Sequence, residues 1–239
     1  MKLQGIAGKG TGKLGAYVWV VRKGEQIVRE YTDKVTNPKS AAQVGQRAKF
    51  KLLTQLSAVV AGRGIFFRNL KGSESMRNAF MRANMGAVTL SQSGDVALLN
   101  VSEVALTDGL TVAPSATFNR STGVMTVDVS AEGLSDIMGV GYAVITIPSE
   151  GNVTGYSNRA EKAEGASSIT VNIFVKPTDM PNTNVLIWGY RFADATARSR
   201  YENIAASQTA DVIALEFDRM LREGLIEPTQ TIMANPTTA

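Results

Sequence analysis

Between residues 97 and 209 the chain breaks into short runs of alternating apolar and polar residues, parted by Gly, Asn, Asp and Ser. Alternation with a period of two is what a half-buried strand requires, because successive side chains point to opposite faces of a sheet. Candidate strands fall at 98–106, 115–118, 124–129, 141–147, 168–175, 185–192 and 199–205. The run Asn119-Arg-Ser-Thr-Gly123 joins two of them as a hairpin. About seven short strands within ~110 residues predict an immunoglobulin-like antiparallel β-sandwich, here without the Cys…Trp…Cys hallmark. Trp188 belongs in its core, with Tyr190 on the same strand face. The 239-residue chain has no cysteine, so the fold must hold by packing alone, and 44% hydrophobic content is enough for one large core or two modest ones.

The residues before the sandwich read differently. Residues 1–14 are rich in glycine and lysine and predict a flexible arm. The fragment Gly8-Lys-Gly-Thr-Gly-Lys13 invites a phosphate-loop reading, but the spacing of its glycines is wrong, Leu14 follows the lysine, and no strand precedes it. Residues 16–22 and 26–32 predict a β-hairpin turning at Lys23-Gly24-Glu25 and carrying Arg22, Lys23 and Arg29. A helix then opens after Pro38, with Ser40 as N-cap and Gln43 placed to complete a capping box. Val44, Ala48, Leu52, Leu56, Val59 and Val60 form its buried stripe. Arg47 and Lys51 lie four apart on another face, and Lys49 points elsewhere. A second helix is predicted over 74–85, with Met76, Phe80 and Ala83 inward.

After the sandwich, a helix is expected at 210–223, with Asp211 near its positive end, Arg219 and Arg222 near its negative end, and Gly224 just past it. The tail 225–239 reads as disordered or as an extended arm laid on a partner. The expected class is therefore α+β: a basic N-terminal β-hairpin plus helical segment (1–88), the immunoglobulin-like antiparallel β-sandwich (89–209), and a C-terminal helix with an extended tail (210–239).

Charge divides the chain. Residues 1–82 hold 16 Lys and Arg against 4 Asp and Glu, whereas residues 83–239 hold 9 against 17. A basic end on an acidic body suits nucleic-acid contact or head-to-tail packing onto an acidic neighbour. The absence of both His and Cys removes Cys/His metal sites, cysteine nucleophiles and Ser-His-Asp triads. The carboxylate pairs Glu161 with Glu164 and Asp211 with Glu216 read as solvated. No run approaches the ~18 apolar residues of a membrane span, and no apolar leader segment stands at the N-terminus. No cofactor and no catalytic residue is expected.

Four segments carry a resemblance. Gly5-Ile-Ala-Gly-Lys-Gly-Thr-Gly-Lys-Leu-Gly15 leads into the aromatics and valines of 17–21. Asn37-Pro-Lys-Ser-Ala-Ala-Gln-Val-Gly-Gln-Arg-Ala-Lys-Phe50 is the most specific. Ser75-Met-Arg-Asn-Ala-Phe80 with Asn84, then 98–106 and Asp108-Gly109, complete the set. Over roughly its first 110 residues the chain resembles an uncharacterised domain family of Bacteroidetes and of their phages and prophages. That family has no assigned activity, so the resemblance implies context rather than mechanism.

The resulting expectation is a non-enzymatic virion or assembly protein, made in the bacterial cytoplasm and packing into a shell, ring or tube with copies of itself and other virion proteins. Lys2, Lys9, Lys13, Arg22, Lys23, Arg47, Lys49 and Lys51 would meet either packaged DNA or the acidic face of the next subunit. The alternative is a sequence-independent nucleic-acid-binding protein.

Overall fold

The computed structural model describes residues 11–22, 24–33, 39–60, 67, 70–107, 112–147 and 152–236. The chain forms two compact units, residues 1–40 and 41–239. Lys2, Lys9 and Lys23 lie outside the described residues.

In the first unit, β1 (Gly12–Leu14), β2 (Tyr17–Arg22) and β3 (Glu25–Glu30) form an antiparallel three-stranded sheet in that order. The predicted hairpin is β2–β3, with Gly24 at φ 77° in the turn. The structure adds a third strand: residues 12–14, expected in the arm, pair with residues 17–19. No described residue of this sheet is fully buried.

The second unit is mixed α and β. It runs through α1 (Ala41–Val60), α2 (Met76–Asn84), β4 (Val88–Leu90), β5 (Ala97–Leu99), β6 (Ser115–Asn119), β7 (Val124–Asp128), β8 (Ile137–Thr146), β9 (Thr154–Glu161), β10 (Ser168–Asn172) and β11 (Thr183–Phe192). It continues with α3 (Ala195–Ala205), α4 (Ala210–Glu223), β12 (Ile226–Pro228), β13 (Ile232–Met233) and β14 (Asn235–Pro236). One sheet has the order β10-β7-β6-β14. The other has the order β12-β11-β8-β9, with β13 also on β11. All pairings are antiparallel except β14 on β6.

The two sheets share a core. Phe118, Met125, Val127, Ile169 and Val171 of the first sheet cluster with Val140, Tyr142, Val144, Val185 and Ile187 of the second. The alternate residues of β8 and β11 belong to another cluster. Ala143, Ile145, Leu186, Trp188 and Tyr190 pack with Leu52, Leu53 and Leu56 of α1, Phe80 of α2, Tyr201 of α3 and Phe217 of α4. The β8–β11 pair is thus buried on both faces, which is why both strands read as nearly continuous apolar runs. Gly141 sits opposite Trp188 in the ladder, and a Cβ there would collide with the indole, so a glycine lets that ring lie across its neighbour.

Several expectations change. Residues 199–205, predicted as a strand, form part of α3. Residues 98–106 hold only the end of β5 and a single 3₁₀ turn. β4 and β9 were not anticipated. In α1 the buried positions are Gly45, Leu52, Leu53, Leu56, Ser57 and Val60, so the stripe is rotated from the expected one while keeping its centre. In α2, Ala79, Phe80 and Asn84 face inward, and Met76 and Ala83 are exposed. Buried Asn84 holds the chain that follows, donating to the Phe80 and Ala105 carbonyls and accepting from the Ala105 N–H. Residues 226–236, expected to be disordered or laid on a partner, pair with strands of their own body as β12, β13 and β14. The expected breaks near 88 and 209 fall inside the larger unit, because α1 and α2 contribute to the same core as β8 and β11.

Candidate assembly and phosphate-contact surfaces

Strand register sorts the first unit into two unlike faces. Cross-strand partners share a face of the sheet, and along a strand the face alternates. Lys13 and Arg29 both oppose Val18, Ile27 opposes Val20, and Glu25 opposes Arg22. All three described cations of the sheet therefore share one face, with Lys13 Nζ 3.4 Å over the Tyr31 ring. Leu14 with Tyr17, Tyr17 with Glu30, Trp19 with Val28, and Val21 with Gln26 occupy the other. Leu14 is 69% and Tyr17 54% exposed, so this second face offers water an aromatic and aliphatic surface. Lys13 and Arg22 of the predicted contact set are brought onto one surface by this register.

Arg47, Lys49 and Lys51 belong to the second unit. Helical spacing puts Gln43, Gln46, Arg47, Phe50, Lys51 and Thr54 along one side of α1, where they line a shallow depression. Arg47, Phe50 and Lys51 are exposed, whereas Lys49 is half-buried and on a different side. No acidic residue occurs in α1. Two cations flanking an exposed aromatic ring suit phosphates with an adjacent base, or a carboxylate-rich protein surface. Gln55 lies inward of that face and ties α1 to the start of β9, accepting from the Val153 N–H at 3.1 Å and donating to Asn152 at 3.3 Å.

A third surface was missed by sequence reasoning. Residues from the ends of β8 and β9, the turn after β9, and α3 line a cleft of about 460 Å³. Tyr201 Oη donates to Glu161 Oε1 at 3.1 Å, and burial together with that carboxylate pushes the Tyr201 hydroxyl up to about 12. Arg198 reaches Asp136 at 3.5 Å, and Lys162 Nζ reaches the Ser135 carbonyl at 3.4 Å. Reading 199–205 as a strand, with no strand placed at 154–161, hid this cleft. The signal that could have found it is Asp194, an N-cap before Ala197 and Tyr201 at helical spacing.

Of the four carboxylates singled out in the sequence, Glu161 and Glu216 take part in local pairing. Glu161 accepts from Tyr201. Glu216 is held between Arg200 and Arg219, and both arginines also reach Glu223, at 3.4 Å and 3.0 Å. Among the described residues no group of three acidic side chains is arranged to hold a metal ion, and no helix is long and apolar enough to cross a membrane. The chain matches no known protein family, no curated protein and no solved structure.

Proposed function

We propose that the protein is a non-enzymatic structural subunit of a phage virion, assembled in the bacterial cytoplasm, that packs into a multi-subunit shell, ring or tube through its basic N-terminal half. The observation that carries this reading is the first unit: a three-stranded sheet whose strands hold no fully buried residue, with its three described cations gathered on one face and exposed Leu14 and Tyr17 on the other. Small sheets need an apolar face packed against something to be stable. A unit that exposes Leu14 and Tyr17 is suited to bury them against neighbouring subunits. The phage context rests on the resemblance of the motifs at 5–15, 37–50 and 75–84.

The strand partition of the body supports the finer reading of an immunoglobulin-like sandwich. Taking β6, β7, β8, β9, β10, β11 and β12 as A, B, C, C′, E, F and G gives sheets A-B-E and C′-C-F-G. On that reading α3 and α4 are an insertion between F and G.

A second reading, sequence-independent nucleic-acid binding, is favoured by the acid-free α1 face with Arg47, Phe50 and Lys51. Light scattering and negative-stain imaging after nuclease treatment, at low and high salt, separate the two. Regular particles that survive nuclease and salt support the structural subunit. A monomer that aggregates only on added DNA, with affinity falling steeply with salt, would overturn it in favour of the second reading.

A further inference from the structure

Sheet edges present unpaired backbone N–H and C=O groups, and proteins protect them with charges, prolines, bulges or short strands. Most edges here are protected in that way. β9 carries Arg159, Glu161 and Gly155 at φ 154°; β3 carries Glu25, Arg29 and Glu30; β12 and β14 contain Pro228 and Pro236. β10, Ser-Ile-Thr-Val-Asn, has none of these. Among the described edge strands of five residues or more it alone lacks charge, proline and glycine.

The ladder shows which groups β10 leaves open. Val129 N–H donates to the Ser167 carbonyl at 2.9 Å, and Ile173 N–H donates to the Gly123 carbonyl at 2.7 Å. In an antiparallel pair hydrogen-bonded residues alternate, so the odd-numbered residues from 167 to 173 face β7. Ser168, Thr170 and Asn172 therefore direct their N–H and C=O groups away from the sheet. Their side chains are exposed, while Ile169 and Val171 are buried in the core. The next outward amide, Phe174 N–H, is taken by Tyr156 Oη at 3.0 Å, which closes the open stretch.

We propose that β10 is a strand-addition site occupied by β10 of a second copy of this chain, antiparallel about a two-fold axis through Thr170. That register sets Thr170 opposite Thr170 of the second copy and Ser168 opposite its Asn172. All of these direct their backbone groups across the seam, giving about six new backbone hydrogen bonds. Charge selects the antiparallel sense. The end of β10 at Ser168 lies beside Asp128 and the turn bearing Glu164, and the other end leads to Lys176. Asp179 lies beyond it, with its carboxylate turned to Thr178 at 3.3 Å. Antiparallel pairing brings the Glu164 end of one copy to the Lys176 end of the other, whereas parallel pairing would set like on like. Phe174, 80% exposed, then lies beside the turn at Ala166 of the second copy. A five-residue seam is a weak interface by itself, and it gains strength where many copies are held together. The inference needs only two copies of the chain and stands apart from the virion reading.

Sedimentation equilibrium of the full chain tests it, using Thr170→Lys, Thr170→Glu and their equimolar mixture. Position 170 faces solvent, and near-ultraviolet circular dichroism verifies that each variant is folded. The wild type should self-associate with rising concentration. Each variant alone should associate roughly tenfold more weakly, because like charges then stand directly opposite, and the mixture should recover the association. A wild type that stays monomeric, or variants that associate as it does, overturns the proposal. In the latter case another surface joins the copies and the assembly reading is untouched.

Discussion

Tyr201 is the residue in which fold and chemistry are most tightly joined. It is nearly buried at the base of α3, its ring lies 5.7 Å from that of Phe192, and its hydroxyl donates to Glu161 at the end of β9. Its ionisation is held from an ordinary value near 10 up to about 12, by burial first and by the Glu161 charge second. Below pH 10 the phenol is neutral in both folded and unfolded chains and contributes no pH dependence. Between 10 and 12 the unfolded chain loses the proton while the folded one keeps it, so stability falls as pH rises through that window. Tyr201→Phe should cost about 1 kcal/mol near neutral pH through loss of the hydrogen bond. It should also flatten the decline of melting temperature between pH 10 and 12. Thermal melts of both proteins across that range check it, and parallel curves would show that Tyr201 does not set the alkaline limb.

Elements here are set by their ends as much as by their faces. α3 begins at Asp194, whose carboxylate accepts from the Ala197 N–H at 2.7 Å, and buries Ala197 and Tyr201 one turn apart. A strand reading of 199–205 leaves out that cap and the helical spacing of Ala197 and Tyr201 behind it. Asp194→Ala should destabilise the protein by about 1 kcal/mol, lowering the melting temperature by about 2–4 °C, and Asp194→Asn should restore most of it. An unchanged melting curve for the alanine variant would remove the cap from the account. β9 escaped detection for the opposite reason: Thr-Gly-Tyr-Ser-Asn-Arg-Ala-Glu is polar and weakly alternating, and it is a strand because β8 supplies a full ladder along it. β7, β8, β10 and β11 were legible, since their β-branched runs pack into one or both cores. So was α4, ended by Gly224 at φ 74°, whose N–H donates to the Met220 and Leu221 carbonyls.

For the whole molecule, the division at residues 40 and 41 has a direct consequence. The larger unit contains both hydrophobic clusters, so a chain of residues 41–239 should fold cooperatively, with a circular dichroism spectrum and melting transition close to those of the intact protein. It should lose the assembly that the N-terminal sheet supports; a truncated chain that assembles like the intact one would sink the proposed role of that sheet. The sequence groups residues 41–88 with the basic N-terminus because its composition changes near 88. Charge describes the surface, however, and Leu52, Leu53, Leu56 and Phe80 go where the apolar surface of β8 and β11 needs covering. The contact set divides for the same reason. Helical spacing already separated Lys49 from Arg47 and Lys51, but only pairing between strands places Lys13, Arg22 and Arg29 on one face. Local periodicity, caps and turn residues were enough for the α+β class, most strands of the two packed sheets, α1 and α4. Which strands lie at an edge and where the C-terminal strands dock depended on the folded chain. Those features arise from contacts between residues far apart in sequence, and no local window contains both partners.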